Sequence, residues 1–143
     1  LGQPVLADDS GLEVDALLGR PGVRSHRYAG EGAPDAVNNR KLLNEMVSVP
    51  EGLRTARFRC AMALAVPGRL VASVEGVAEG TMRRDPRGTG GFGYDPIFHH
   101  PPLQKTFAEL TREEKNRVSH RARALERMRP HLAALGPEPA RSS

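Results

Sequence analysis

Alternating apolar and polar residues occupy the middle of the chain. From Arg54 to Val66 the apolar positions recur every second residue, Pro67-Gly68 follows, and a further apolar segment spans residues 70–77. A period of two is typical of a strand with one buried face, and Pro-Gly between two such strands favours a turn. The pattern therefore predicts an antiparallel hairpin within a long sheet.

Two other segments are predicted to be helices, and the second of them has the three- and four-residue spacing of an amphipathic helix. The first begins at Asp35, a possible N-cap, and the second at Ser119, which can cap in the same way. The apolar positions of these helices are Val37, Leu42, Leu43 and Met46, then Leu125, Met128, Leu132 and Leu135. We interpret the first helix as scaffold and the apolar stripe of the second as core, and we expect Pro130 to kink the second helix.

Two shorter strands complete the predicted pattern. Pro4-Val5-Leu6-Ala7 is typical of a short buried strand, and Tyr94-Asp95-Pro96-Ile97-Phe98 of another. Strands and helices that alternate along the chain indicate the α/β class.

Length and composition are those of one globular domain. The chain has 143 residues, 38% of them hydrophobic and 27% charged, enough to build a core. We expect one domain over residues 1–135 and a disordered tail over residues 136–143, which are rich in proline, glycine and serine. No apolar run approaches the roughly 20 residues of a membrane helix, so we expect a soluble protein without a membrane partner.

The single cysteine and the first residues of the chain indicate the cellular compartment of the protein. Cys60 lies in the alternating segment, which predicts a buried thiol in a reducing cytoplasm. The chain opens on Leu1 without a methionine or a signal-like segment. We therefore expect a cytoplasmic protein whose natural start is missing.

The formal net charge of +4 makes anions plausible ligands. Cations are dense between Arg112 and Arg129, where Glu113, Glu114 and Glu126 are interleaved with them. That pattern fits a solvated helix face as well as a binding surface.

The first candidate for chemistry is the segment Ala7-Asp8-Asp9-Ser10-Gly11-Leu12. It follows the opening strand, so we expect Asp8 and Asp9 at a strand end, where the backbone turns. Adjacent carboxylates repel each other, and a divalent cation between them relieves the repulsion. A plain Asx turn is the alternative.

The second candidate is the glycine-rich loop over residues 88–93. Its glycines let main-chain N–H groups approach an anion or a base, although neither of the common glycine-rich nucleotide fingerprints is present. Phe92 and Tyr94 are candidates for stacking on a base, with core packing as the rival interpretation.

The third candidate places Lys115, His120 and Arg121 near the predicted helix start at Ser119. A helix N-terminus with cations favours an anion or an electron-rich carbonyl. His99 and His100 lack ligand spacing and are interpreted as loop residues.

These segments resemble the inosine triphosphate pyrophosphatases, also called XTP/dITP diphosphatases. The resemblance includes Pro21-Gly22-Val23-Arg24-Ser25 and Leu110-Thr111-Arg112-Glu113-Glu114-Lys115, in the family's order, and covers nearly all of the chain before the tail. It implies a two-lobed α/β fold with a long central mixed sheet flanked by helices and an active site in the cleft between lobes. A homodimer is also implied.

The activity implied by the resemblance is Mg²⁺-dependent hydrolysis of dITP, ITP or XTP to the monophosphate and pyrophosphate, which cleanses the nucleotide pool. Asp9 would be the general base and a metal ligand, and Asp8 would support the metal. The implied substrate-binding residues are Ser10, Phe92, Gly93, Tyr94, Asp95, Lys115, His120 and Arg121. The last three are donors when charged, which suits the 6-keto acceptor of a purine better than the amino group of adenine.

The family's opening strand, its phosphate-binding loop and a metal-binding glutamate are absent from this sequence, so we expect the fragment to be weak or inactive. One rival is a basic nucleic-acid-binding module built on the arginines at 117, 121, 123, 127 and 129. It leaves Asp8 and Asp9 unexplained. The other rival is a nucleophilic triad of Ser10, His120 and an aspartate, for which the surrounding motif is absent.

Overall fold

A computed structural model describes residues 3–135, and the expected tail at residues 136–143 lies outside them. The described strands, in chain order, are β1 (Val5–Val14), β2 (Pro21–Gly22), β3 (Thr55–Val66), β4 (Arg69–Met82), β5 (Phe98–His100) and β6 (Lys105–Thr106). They form one sheet in the order β2-β1-β3-β4-β5-β6. The predicted α/β fold with a long sheet is confirmed, and every strand pair within residues 3–135 is antiparallel.

The predicted hairpin is confirmed as β3 and β4, which pair from Thr55 opposite Thr81 to Val66 opposite Arg69. One face of β3 is buried, at Ala56, Phe58, Cys60, Met62 and Leu64. The thiol of Cys60 is fully buried, as the period of two predicts.

The opposite face of the hairpin carries ion pairs that cross three strands. Arg57 pairs with Asp15 at 3.0 Å and with Glu79 at 3.2 Å. Arg59 pairs at 3.1 Å with Glu13 of β1. Opposite charges on cross-strand positions stabilise a solvated sheet face, which explains the charged residues between the apolar ones.

The prediction that Asp8 and Asp9 lie at the end of a strand is wrong. Asp8 and Asp9 lie inside β1, opposite Met62 and Ala61 of β3, and the strand continues to Val14. The first residues of β1 are exposed rather than buried, and Val5 is 61% exposed. Long-range pairing with β3 keeps this segment extended, which a local turn signal cannot show.

Three α-helices are described: α1 (Asp35–Glu45), α2 (Arg112–Val118) and α3 (His120–Ala134). Asp35 is the first residue of α1 and not its N-cap, because Pro34 occupies the cap position. Ser119 caps α3 as predicted, with its hydroxyl oxygen accepting from the Ala122 N–H at 3.1 Å. Helix α3 continues through Pro130.

Helix α3 packs on the buried face of the hairpin. Ala124 and Met128 are fully buried against Cys60 and its neighbours on β3. Leu125 and Leu135 are 37% and 38% exposed, so the predicted apolar stripe is only partly core. None of the helices within residues 3–135 is long and apolar enough to cross a membrane.

The segment around β5 differs from the sequence prediction. The predicted strand from Tyr94 begins only at Phe98, because a 3₁₀ turn, Asp95–Ile97, precedes it. His99 and His100 are strand residues, not loop residues, and His100 is buried against Phe107. Pairing of β5 with Thr81 and Met82 on β4 makes this short strand.

A buried arginine connects α1 to the hairpin. Arg54 is only 2% exposed, and its guanidinium donates to the carbonyls of Met46, Val49, Met82 and Arg83. Two of these carbonyls follow the end of α1, and two belong to the end of β4 and the residue after it. The contact fixes α1 relative to the sheet, and α1 in turn lies beside the cavity described below.

Candidate active site

A cavity of about 560 Å³ lies between β1, the start of α1, the glycine-rich loop and the two C-terminal helices. The eight residues predicted to bind substrate all line it: Ser10, Phe92, Gly93, Tyr94, Asp95, Lys115, His120 and Arg121. The structure therefore brings together three sequence segments that are far apart in the chain.

The glycine-rich loop folds around the carboxylate of Asp95, which is 3% exposed. This carboxylate accepts from the Phe92 N–H at 3.1 Å and pairs with the Lys115 ammonium at 2.6 Å. Burial raises the pKa of Asp95, while Lys115 and the Phe92 N–H oppose the shift. The pair thus attaches α2 to the loop.

Gly91 makes room for this carboxylate. Its φ is +71°, and a Cβ atom at this position would lie 2.1 Å from Oδ2 of Asp95. Only glycine combines this backbone conformation with so close an approach.

The two aromatic candidates have different surroundings. Phe92 is 63% exposed, and the Lys115 ammonium lies 4.8 Å from its ring centroid. Tyr94 is 3% exposed, belongs to the core, and its hydroxyl donates to the Ser25 carbonyl at 2.6 Å. Burial also raises the pKa of Tyr94. Phe92 thus has an exposed ring face available for a base, whereas Tyr94 forms part of the wall.

His120 stacks on Phe58, with ring centroids 4.7 Å apart. Burial, together with the positive charges of Arg121 and Lys115, lowers the pKa of His120 to about 4. The imidazole is therefore neutral near pH 7, contrary to the expectation that it acts as a charged donor. A neutral imidazole offers one donor and one acceptor.

Asp8 and Asp9 are separated by the geometry of β1. Asp8 pairs with Arg121 at 2.9 Å, on the side of the sheet that carries α3. Successive strand residues point to opposite faces, so Asp9 lies on the other side, and it does not line the cavity. The residues that the structure describes contain no group of three or more His, Cys, Asp or Glu side chains suited to a metal ion.

Two polar atoms in the cavity wall lack partners. The hydroxyl of Ser10 and Nδ1 of His120 are buried without a hydrogen bond within residues 3–135. They are not bonded to each other or to an aspartate, so the described residues contain no relay of a nucleophilic triad. Buried polar atoms without partners are rare away from functional sites.

The arginines of the proposed nucleic-acid surface do not share one free face. Arg121 pairs with Asp8, Arg123 donates to the Val77 carbonyl at 3.3 Å, and Arg129 pairs with Glu126 at 3.4 Å. Arg121 and Arg129 line the cavity, whereas Arg123 contacts β4.

Several cavity residues were not predicted from the sequence to bind substrate. Among them are Ser25, His26, Asp35, Asn38 and Leu125, together with Arg129, which was assigned only to the rival nucleic-acid surface. Ser25 connects two walls, because its hydroxyl accepts from the Leu12 N–H at 2.9 Å and its carbonyl accepts from Tyr94. Local sequence offered a weak signal for Leu125 alone, as an apolar residue one turn beyond His120 and Arg121.

The fold and the cavity define an α/β protein with a ligand-sized cleft, and comparison with known proteins identifies the family. The model of the Ham1 family matches residues 1–131. The chain belongs to the Ham1 family, which confirms the resemblance to inosine triphosphate pyrophosphatases.

Curated relatives carry the name dITP/XTP pyrophosphatase. The protein of Geobacillus kaustophilus is 59% identical over 128 residues, which are 90% of this chain and 63% of the relative. That of Bacillus subtilis is 53% identical over 130 residues, 91% of this chain and 66% of the relative. The chain thus spans about two thirds of the length of these relatives.

Solved structures agree with the fold. The Ham1 protein of Staphylococcus aureus has a TM-score of 0.88 at 41% identity, with 94% of this chain and 69% of that chain covered. A nucleoside-triphosphatase, or dITP/XTP pyrophosphatase, from Mycobacterium abscessus has a TM-score of 0.77 at 48% identity, with 92% and 67% covered.

Proposed function

We propose that the chain provides the base-binding side of a nucleoside triphosphate pyrophosphohydrolase that acts on nonstandard purine nucleotides. The substrates are dITP, ITP and XTP, and the products are the monophosphate and pyrophosphate. One observation carries the proposal: the eight residues expected to bind substrate surround a single cavity. The printed names of the relatives, dITP/XTP pyrophosphatase, support the substrate class.

The polar groups of the cavity suit a 6-keto purine. Lys115 and Arg121 are cationic donors, and the neutral His120 keeps one N–H to donate. A keto oxygen at position 6 accepts from such donors, whereas the amino group of adenine would face them with hydrogens of its own. Phe92 stacks on the base from the open side.

Asp9 of β1 acts at the phosphate end of the substrate. Asp9 accepts the proton of the attacking water, and Ser10 contacts the substrate from the next position of the strand. The donor set fits Mg²⁺, a hard cation that takes one or two carboxylates together with substrate phosphates. Asp9 would be its carboxylate ligand, and the ion would neutralise charge on the triphosphate. Asp8 lies on the opposite face of β1 and pairs with Arg121, so the two carboxylates do not both face one ion.

A basic nucleic-acid-binding module is the weaker candidate. It needs a continuous free row of cations, but Arg121, Arg123 and Arg129 each have a partner within the described residues. We propose further that the protein works in the cytoplasm as a homodimer.

The function is tested by pyrophosphate release from dITP, XTP and dATP, in Mg²⁺ and in EDTA. Both this chain and a version extended to the length of the relatives are assayed, each with and without Asp9→Asn. Release from dITP and XTP that requires Mg²⁺, spares dATP and disappears with Asp9→Asn supports the proposal. No release by a folded extended chain contradicts it.

A further inference from the structure

The start of α1 holds the peptide groups of one loop residue from both sides. The Gly93 N–H donates to Oδ2 of Asp35 at 2.8 Å, and the Gly93 carbonyl accepts from Nδ2 of Asn39 at 3.2 Å. Residues four apart lie on one helix face, so Asp35 and Asn39 form a two-point clamp.

The clamped residue lies at the centre of the base-binding loop. Gly93 follows Phe92, whose exposed ring is beside Lys115, and precedes the wall residues Tyr94 and Asp95. Its φ is +61°, and no atom outside the neighbouring residues comes within 4 Å of a Cβ built there. Side-chain packing therefore does not fix this peptide, and the hydrogen bonds to α1 do.

Asn39 shows a further sign of a specialised position. It is 9% exposed, and its amide oxygen is buried without a hydrogen-bond partner within residues 3–135. Reversing the amide would place that oxygen against the Gly93 carbonyl, which also accepts. The side chain thus supplies its donor to Gly93 and leaves its acceptor unpaired.

We propose that Asp35 and Asn39 are positioning residues that set the location of the Phe92 ring and of the Asp95–Lys115 pair, and thereby the affinity for the purine base. The inference rests on the proposed function. Neither residue needs to touch the base, because both act through the Gly93 peptide. Arg54, which attaches the end of α1 to the sheet, keeps the helix in place for this task.

The effect of Asp35 on the stability of α1 can be distinguished from its hydrogen bond to Gly93. As the first residue of α1, its negative charge also favours the helix dipole. Asp35→Asn removes this charge but keeps an oxygen that can accept from Gly93, whereas Asp35→Ala removes both. Asp35 is exposed, so neither variant disturbs the core.

The experiment measures binding of inosine monophosphate to this chain by titration calorimetry. Asp35→Ala and Asn39→Ala are compared with Asp35→Asn and with Asn44→Ala, a control at another exposed position of α1. We expect the two clamp deletions to weaken binding about five- to tenfold, the scale of one lost hydrogen bond. Asp35→Asn and Asn44→Ala stay within about twofold of the parent.

Hydrogen exchange of the Gly93 amide is measured in the same proteins without ligand. We expect faster exchange in Asp35→Ala and parental exchange in Asp35→Asn and Asn44→Ala. Parental binding together with parental Gly93 exchange in Asp35→Ala would overturn the clamp.

If the parent chain does not bind inosine monophosphate, the proposed function is contradicted. The exchange measurement alone then decides whether Asp35 holds the Gly93 peptide. In that case faster Gly93 exchange in Asp35→Ala supports the clamp, and unchanged exchange overturns it. Loss of binding in Asp35→Asn as strong as in Asp35→Ala would assign the effect to the charge and also overturn the clamp.

Discussion

The ammonium group of Lys115 lies 2.6 Å from a carboxylate oxygen of Asp95, which is buried. Removing one member of such a pair leaves the other without compensation. We expect Lys115→Met to destabilise the protein by about 3 kcal/mol at pH 7, because the carboxylate stays buried. Asp95→Asn should cost less, because Lys115 is partly exposed and can reach water.

The interaction between Lys115 and Asp95 is measured by urea unfolding of both single variants and of the double variant. We expect the double variant to be more stable than the sum of the single losses predicts, by about 1 kcal/mol or more. Additive losses would show that the two side chains do not interact in solution.

The two glycines on either side of Phe92 should respond differently to alanine. At Gly91 a Cβ would overlap the Asp95 carboxylate, whereas at Gly93 the space is open and only the backbone conformation is unfavourable. We expect Gly93→Ala to cost about 1 kcal/mol and Gly91→Ala about 3 kcal/mol, because strain and overlap add. Equal thermal shifts in the two variants would disprove the close approach at Gly91.

Phe92 should contribute to binding much more than to stability. Its ring is mostly exposed, so Phe92→Ala should change the unfolding free energy by less than about 0.5 kcal/mol. Loss of base stacking should weaken binding of inosine monophosphate by about 1–3 kcal/mol, which calorimetry measures directly. A large loss of stability with unchanged binding would instead make Phe92 a packing residue.

The neutral His120 predicts how stability depends on pH. Its pKa is lowered from 6.5 to about 4 in the folded chain, so the unfolded chain binds a proton in this interval that the folded chain does not. Stability is therefore fully retained above about pH 6.5 and falls as the pH drops towards 4, by about 3 kcal/mol for this group.

The measurement is urea unfolding between pH 4 and 7.5, with His120→Gln as the comparison. The variant lacks the titrating group, so its stability should fall less on acidification than that of the parent. Parallel curves for the two proteins would show that His120 is not the group responsible.

Local patterns predicted what depends on nearest neighbours in the chain. The alternation around Cys60 defined the hairpin and its buried face, and Ser119 was recognisable as a cap because a cap acts within one turn. The three segments that meet at the cavity were likewise singled out by residue type, whereas the roles of Ser10, Gly93 and Asp95 came from the family resemblance and stay predictions.

Long-range pairing decided what the sequence did not reveal. The register of β1 against β3 put Asp8 opposite Met62 inside a strand, and the three residues of β5 form a strand because they pair with β4 on one side and β6 on the other. The clamp at Gly93 joins residues 58 positions apart. Burial of His120 under Phe58 likewise depends on tertiary packing, and with it the charge of the imidazole.

The most direct test of the account compares inosine monophosphate with adenosine monophosphate as ligands of this chain, by calorimetry at pH 7.5. The account predicts that the inosine nucleotide binds at least about tenfold more tightly and that Lys115→Ala removes most of this preference. Equal binding of the two nucleotides, or no binding of either by the folded chain, would contradict the claim that the cavity recognises a 6-keto purine.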